Sequence, residues 1–285
     1  MGTCKLIVHA DDFGLSDKVN AGILDAHRNG ILTSTSVIAS GLAVNQAIEL
    51  SRSAPTLDVG VHLTLVGERP ILPAETIPSL TDRQGHFLDT AGAFMKRLLS
   101  GGVCLDEVRR ELDAQISRVV GLGVKISHLD GHQHLHVAPG IRSVVGELAR
   151  KWRVSAIRYP AEAIQPYMLK EPGAWRRVAE LLVLNAFCRF VPADDFARPE
   201  HFVGFYFGGR LSKRNLLIVL ANLPPRGTCE LMCHPGLSDP GSPYRNWNYH
   251  WQDEHDALTD PDVSVFLRSK GVVLTTYRDL RAAAH

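Results

Sequence analysis

Short apolar runs alternate along the chain with longer segments of helical period, and this alternation most constrains what the chain can fold into. Leu6–Val8 predicts a buried strand, and Asp17–Asn29 predicts a helix that ends at Gly30. Leu105–Leu122 predicts an amphipathic helix, followed by a strand over Val124–Leu129. Strands that alternate with helices form βαβ units and a parallel sheet. The sequence therefore predicts an α/β fold, most simply a distorted (βα) TIM-like barrel.

The same pattern predicts further strands over Thr35–Ala39, Leu57–Leu65, Ala156–Arg158, Thr228–Cys233 and Val272–Thr275, and helices over Ala43–Ser51, Pro139–Trp152, Leu211–Leu223 and Asp262–Ser269. Two stretches interrupt it. Glu68–Phe94 is rich in proline and polar residues, and Ala161–Phe207 mixes helical and irregular chain. We expect both to be loop excursions over the C-terminal face of one domain that spans residues 1–285.

Composition excludes several classes of protein. With 45% hydrophobic and 21% charged residues the chain is typical of a globular protein, and a net charge of +1 argues against nucleic acid as a partner. No apolar run reaches the roughly 18 residues of a membrane span. The N-terminus lacks a signal-peptide pattern, and the five cysteines are scattered. We therefore expect a cytoplasmic protein, for which a homodimer is one candidate assembly.

Polar residues stand where the predicted strands end: Asp11–Asp12, His62, Asp130–His136, Arg158 and His234. The carboxyl ends of parallel barrel strands converge on one face, which is where the active sites of such barrels lie. Residues far apart in sequence are thus expected to form one cluster.

The segment His128–His136 contains four histidines and an aspartate within nine residues. Neutral imidazole is a common ligand of divalent first-row metals, and mixed His/Asp sets suit zinc, manganese or similar ions. His132 and His136 would share a helical face, whereas His132, His134 and His136 would share an extended one. The segment predicts metal binding or catalysis rather than a solvated loop.

Asp11 and Asp12 follow an apolar strand and precede a turn at Phe13–Gly14. Adjacent carboxylates that point to different sides can divide the work, one binding metal and the other exchanging protons. The alternative is a pair of acidic residues at a helix N-terminus.

Three single residues at the ends of predicted strands are further candidates for the functional site. His62 closes an apolar strand and is either a ligand or a buried core histidine. His234 precedes a sharp turn and could act as a general acid. Arg158 could orient a carboxylate or bind an oxyanion, or form an ordinary ion pair. The aromatic segment Tyr244–Trp251 suits a sugar ring, or a lid that packs its own side chains.

The motifs described above occur in the same order as in the YdjC-like carbohydrate deacetylases, which this sequence resembles. That family includes chitooligosaccharide deacetylases and a hopanoid-biosynthesis protein. The matching segments span nearly the whole chain: Ala10–Gly14, Gly60–His62, His128–His136, Arg158–Pro160 and Cys233–Pro235. Two positions depart from the family pattern, since His9 stands where a small polar residue is more common and Gly131 where serine is common.

The resemblance implies a distorted barrel that removes acetyl from an N-acetylated amino sugar with one divalent metal ion, Mg²⁺ or Zn²⁺. It implies that Asp12, His62 and His132 bind the metal. Asp11 would be the general base and His234 the general acid. The remaining polar residues would face the substrate or support the ligands: Asp130, His134, His136 and Arg158.

Two other functions stay open. A binuclear phosphoesterase or amidohydrolase could use His132, His134 and His136 to bind two metals. A non-catalytic sugar-binding protein could keep the cluster for a structural metal. The number of metal ions bound per chain separates the first from a deacetylase, and acetate release excludes the second.

Overall fold

The computed structural model describes residues 3–171, 173–190 and 196–280. Strands and helices alternate along most of this part of the chain. The strands are β1 Cys4–Phe13, β2 Ser34–Val37, β3 Asp58–Leu63, β4 His128–Gly131, β5 Ala156–Ile157, β6 His201–Val203, β7 Gly227–Cys233 and β8 Val273–Leu274. The helices are α1 Asp17–Asn29, α2 Val44–Arg52, α3 Ala91–Leu99, α4 Leu105–Gly121, α5 Ile141–Lys151, α6 Ala174–Arg189, α7 Lys213–Ala221, α8 Trp251–Thr259 and α9 Pro261–Ser269.

The strands form one parallel sheet in the order β5-β4-β3-β2-β1-β7-β6. β1 is an interior strand and pairs with β7 along one edge. Its other edge is divided, because β8 pairs with Lys5 and Leu6 whereas β2 pairs from His9 onward. Strands β2, β3 and β4 are buried over their whole length, as expected for parallel strands covered on both faces.

Irregular chain bridges the two ends of the sheet. Ile157 N, in β5, donates a hydrogen bond to Ala197 O, and Glu162 forms a bridge with Phe202 of β6. The sheet thus curves into a barrel whose last side is only partly hydrogen-bonded. The predicted α/β class and distorted barrel are confirmed.

Helix boundaries follow local signals in the sequence. α1 begins after Ser16, whose hydroxyl accepts a hydrogen bond from Val19 N, and it ends before Gly30, as predicted. The face of α4 that contacts the sheet is buried at Val108, Leu112, Ile116 and Val119. No helix in the described ranges is both long enough and apolar enough to cross a membrane.

Some boundaries differ from the sequence prediction. The stretch Ala161–Phe207 is not only an excursion, because β6 is a strand of the barrel and α6 precedes it. The strand predicted over Val124–Leu129 begins at His128 instead. Helices α3 and α8 were not predicted, and Trp251 begins α8 instead of ending a loop. Their apolar period is weak, because α3 buries only Phe94 and α8 buries the polar residues Glu254 and His255 beside Ala257 and Leu258.

Candidate metal centre

An irregularity at the carboxyl end of β1 brings two aspartates to one side. The pairing with β2 shifts between Ala10 and Phe13, and Asp12 has a φ of 68°, in the left-handed region. Neighbouring side chains of a regular strand point to opposite faces. Here both carboxylates approach His62 Nε2, with Asp12 Oδ1 at 3.5 Å and Asp11 Oδ2 at 3.9 Å. The bulge, which the sequence did not reveal, therefore corrects the expectation that the two side chains diverge.

Asp12, His62 and His132 come together at this end of the barrel. Each offers one ligand atom, and the three atoms lie within 4.8 Å of one another. His132 Nδ1 is 3.2 Å from Asp12 Oδ1. Metal–ligand bonds of about 2.0–2.2 Å place neighbouring ligand atoms roughly 3.0–3.5 Å apart, so these spacings fit a bound cation.

The hydrogen bonding of Asp12 supports that fit. Both of its carboxylate oxygens are buried without a hydrogen-bond partner of acceptable geometry, as is His132 Nε2. An unpaired buried carboxylate is costly, and a cation would offset that cost. Burial raises the pKa of Asp12, but His132 and His62 outweigh it and lower the pKa.

Asp130 fixes the orientation of the His62 ring. His62 Nδ1 lies 3.0 Å from Asp130 Oδ1 and 3.1 Å from Ser36 Oγ, and Ser36 Oγ donates to Asp130 Oδ2 at 2.9 Å. Donation from Nδ1 leaves Nε2 free for a metal. Burial lowers the pKa of His62, yet the surrounding aspartates raise it to about 9. The environment of this ring therefore favours positive charge.

Arg158 holds Asp11 through two parallel hydrogen bonds, from Nη2 to Oδ1 at 2.7 Å and from Nη1 to Oδ2 at 2.9 Å. The same guanidinium lies 2.9 Å from Asp130 Oδ2 and donates through Nε to Glu230 Oε1 at 2.8 Å. Burial opposes ionisation of Asp11, but Arg158 and His62 hold its pKa well below the usual range. Three carboxylates therefore contact this one arginine, and the carboxylate of Asp12 adds further negative charge at the site, which favours binding of a cation.

Two histidines behind Asp11 form a buried pair. His9 Nδ1 lies 2.7 Å from Arg158 Nη2 and 3.1 Å from Asp11 Oδ1, and His9 Nε2 lies 2.8 Å from His128 Nε2. His128 Nδ1 lies 2.8 Å from Ser127 Oγ, and burial lowers the pKa of His128 well below its usual range. His9 thus contacts both Arg158 and Asp11.

His234 stands on the other side of Asp11. Its Nε2 is 4.0 Å from Asp11 Oδ2, its ring packs on Tyr249 with centroids 4.6 Å apart, and its Nδ1 is 3.9 Å from Glu254 Oε2. Glu254 also accepts hydrogen bonds from the backbone N–H groups of His234 and Leu211. Glu254 was not identified from the sequence because it lies in the unpredicted helix α8.

His134 and His136 do not join the three candidate ligands. The segment His132–Val137 is a 3₁₀ turn with left-handed Gln133 and His134, so it presents neither a helical nor an extended face. His134 packs against Phe202 and Phe205, and His136 Nε2 lies 3.2 Å from Arg158 O. Burial lowers the pKa of both rings, that of His136 to about 3.

Other residues also support the site without having been predicted. Glu230, which accepts a hydrogen bond from Arg158, lies in the mainly apolar strand β7. A single charged residue in such a strand is the sequence feature that could have identified it. The other carboxylate oxygen of Glu230 accepts from the hydroxyl of Tyr277, whose ring stacks on His128.

The aromatic segment Tyr244–Trp251 covers the centre. Trp247 lies 4.9 Å from the His132 ring and 5.8 Å from Tyr249, which contacts His234. Asp12, His62 and His132 are each at most 3% exposed. Trp247 therefore covers the His132 side of the centre, where the three candidate ligands have little exposure.

Comparison with known proteins matches residues 5–269 to the family described as YdjC-like protein. A carbohydrate deacetylase of Brevibacillus brevis is 30% identical over 97% of this chain and 99% of its own length. A chitooligosaccharide deacetylase of Yersinia pestis is 30% identical over 96% of this chain and 98% of its own. A crystallised Enterococcus faecalis protein, proposed to cleave cellobiose phosphate, superimposes with a TM-score of 0.73 at 29% identity, covering 96% of this chain and 98% of its own.

Proposed function

The chain belongs to the YdjC-like family, and on that basis we propose that it hydrolyses the N-acetyl group of a sugar or glycoconjugate that contains N-acetylglucosamine. One observation carries the proposal: the ligand atoms of Asp12, His62 and His132 converge beside Asp11 and His234. Relatives named carbohydrate deacetylase and chitooligosaccharide deacetylase align over nearly the full length of both chains, which supports the substrate class.

One divalent ion would be held by Asp12, His62 Nε2 and His132 Nδ1. Two imidazoles and a carboxylate favour a zinc-like ion, with Mg²⁺ as the other candidate. Such an ion, when bound, would polarise the acetamide carbonyl and make a water molecule more acidic.

Asp11 and His234 would carry the protons. Arg158 holds the Asp11 carboxylate ionised, so Oδ2 can accept a proton from the water that attacks the carbonyl carbon. His234 Nε2, 4.0 Å away, would donate a proton to the nitrogen as the C–N bond breaks. The products are acetate and a free amino sugar.

A binuclear centre is the second candidate because the described residues include two more groups of side chains that could hold a metal: His9, His128 and Asp130, and Asp11, His62 and Asp130. In both groups, contacts within the protein already occupy ligand atoms that a metal would need. His9 and His128 bond each other at 2.8 Å, and Arg158 binds Asp11 and Asp130. These contacts favour one ion, and a bound stoichiometry of two would favour the binuclear function.

We also propose that residues 1–285 act as one domain in the cytoplasm. All five cysteines are free thiols, and four of them are buried, which is typical of a reducing compartment. Fractionation of cells that make the protein would test the location.

Two isosteric substitutions separate metal binding from proton transfer. We expect Asp12→Asn to lower metal affinity strongly, because it removes the charged ligand. We expect Asp11→Asn to retain one ion while kcat falls by about 10²–10⁴, the usual contribution of a general base. Metal content and acetate release measure the two effects. Full activity of Asp11→Asn would rule out Asp11 as the base.

A further inference from the structure

Glu68 is a buried carboxylate near the metal centre that has no role in the proposed chemistry. It lies on the chain that follows β3, is only 8% exposed, and its Oε1 is buried without a hydrogen-bond partner. No Lys, Arg or His forms a salt bridge with it in the described ranges. Burial, together with the charge of Asp12, raises the pKa of Glu68 to about 7, although a hydrogen bond from Tyr244 opposes the rise. A buried acceptor of this kind is costly unless a ligand completes it.

The position of Glu68 links it to the side chains that cover the centre. A Cβ at the neighbouring Gly67 would lie 3.7 Å from His132 Nε2 and 3.8 Å from Trp247 Cζ2. Trp247 contacts Tyr244, the hydrogen-bond donor to Glu68, with ring centroids 5.0 Å apart. Glu68, Tyr244 and Trp247 thus surround the same side of the centre, beside His132.

Glu68 is not part of the candidate ligand set. No group of candidate ligands in the described part of the chain includes its carboxylate. The free oxygen therefore needs a hydrogen-bond donor, and the adjacent indole offers an apolar ring face. A pyranose presents both complements, with C–H groups on its face and hydroxyl donors at its edge.

We propose that Glu68, Tyr244 and Trp247 form a subsite for the sugar ring that carries the acetamido group. Trp247 contacts the C–H face of the ring, and Glu68 Oε1 accepts a hydrogen bond from a ring hydroxyl. The inference rests on the proposed function and deepens it, since it makes Glu68 a positioning residue that selects acetylated sugars over other acetyl compounds. Entry of the ring would move Trp247 away from His132.

The test compares a sugar substrate with one that needs only the acetyl site. Kinetics are measured on N,N′-diacetylchitobiose and on 4-nitrophenyl acetate for the wild type, Glu68→Ala and Glu68→Gln, with Glu75→Ala as a control. Glu75 is exposed and lies seven positions further along the same excursion. Metal content is measured for every variant.

We expect Glu68→Ala to raise KM for diacetylchitobiose about 10-fold, because the substrate hydroxyl would lose its buried hydrogen-bond partner. Its metal content is expected to stay at the wild-type value, and KM for 4-nitrophenyl acetate, which has no sugar ring, is expected to change much less than KM for diacetylchitobiose. Glu68→Gln keeps an acceptor oxygen and is expected to be intermediate. An unchanged KM in Glu68→Ala overturns the subsite, and so does loss of the metal, which would assign Glu68 to the metal centre.

Failure of the proposed function gives a different result. If the metal-loaded wild type releases no acetate from any sugar, binding of diacetylchitobiose is followed through tryptophan fluorescence, with Trp247→Phe identifying the signal. Weaker binding by Glu68→Ala than by Glu75→Ala then supports the subsite without the reaction. A wild type that binds no acetylated sugar overturns it.

Discussion

Asp12 combines two local costs at a single residue. Its φ of 68° is a conformation that non-glycine residues rarely adopt, with a cost on the order of 1–3 kcal/mol. Its two buried carboxylate oxygens also lack hydrogen-bond partners. A cation at the carboxylate would offset both, so the strain is best explained as part of a metal site.

Asp130 gives a prediction about metal affinity. In Asp130→Asn the amide can donate to His62 Nδ1, which would move the imidazole proton to Nε2, the atom that faces Asp12. We expect metal affinity to fall about 10- to 100-fold, the usual effect of losing a residue that orients a ligand. Ser36→Ala is the comparison: it removes a hydroxyl that contacts both Asp130 and His62 Nδ1 but keeps the Asp130 carboxylate, so its loss of affinity is expected to be smaller. Metal titration measures both, and wild-type affinity in Asp130→Asn would contradict the assigned orientation.

Arg158 gives a prediction about pH dependence. The guanidinium lowers the pKa of Asp11, and a single lysine ammonium cannot make both hydrogen bonds to that carboxylate. In Arg158→Lys the pKa of Asp11 rises. Because the base acts ionised, we expect the acidic limb of kcat/KM to move to higher pH and kcat to fall.

The control is Arg109→Lys, at an exposed arginine that pairs with Asp106 and Glu147. Its pH profile of acetate release is expected to match the wild type. An acidic limb that stays in place in folded Arg158→Lys would show that Asp11 ionisation does not govern the rate.

The turn His132–Val137 shows what periodicity leaves undecided. Four histidines in nine residues predicted a metal site, but two left-handed residues within the turn remove any regular face. Gly131 packs tightly against this turn, since a Cβ there would lie 3.0 Å from His136 Cβ and Nδ1 and the ring would have to shift slightly. The choice of His132 over its neighbours came from the family resemblance and not from spacing.

The bridge between β5 and β6 depends on a buried carboxyl group. Glu162 accepts hydrogen bonds from Gly204 N at 3.1 Å and Tyr206 N at 3.0 Å, and burial raises its pKa to about 7. The native carboxyl thus keeps its proton up to a higher pH than the unfolded one. Its contribution to the free energy of unfolding falls as pH rises from about 4.5 to 7, by up to roughly 3 kcal/mol.

Glu162→Gln cannot ionise, so we expect it to lack this part of the decline. Its stability relative to the wild type should rise between pH 5 and pH 8, whatever constant offset the amide introduces. Urea unfolding across that range measures the difference, with exposed Glu49→Gln as the control. If the free energy of unfolding changes with pH in the same way for Glu162→Gln and the wild type, the pKa of Glu162 is not raised in the folded protein.

At the scale of the whole molecule, the alternation of strands and helices predicted the parallel barrel. The rule that strand ends converge also placed Asp11, His62, Arg158 and His234 on one face, where the structure has them close together. That rule predicts at which end of the sheet the site lies, but it does not predict the β1 bulge, which turns Asp12 toward His62. Nor does it predict supporting residues that lie on helices, such as Glu254 of α8, which contacts His234.

Acetate release from N,N′-diacetylchitobiose by the metal-loaded protein tests the proposed deacetylation most directly. We expect acetate to form in step with a free amine, to stop when a chelator removes the ion, and to return when Zn²⁺ or Mg²⁺ is restored. Asp12→Asn is expected to remain inactive under the same conditions. Release that persists undiminished after chelation and in Asp12→Asn, or no release from any acetylated sugar by folded, metal-loaded protein, would contradict a metal-dependent deacetylase.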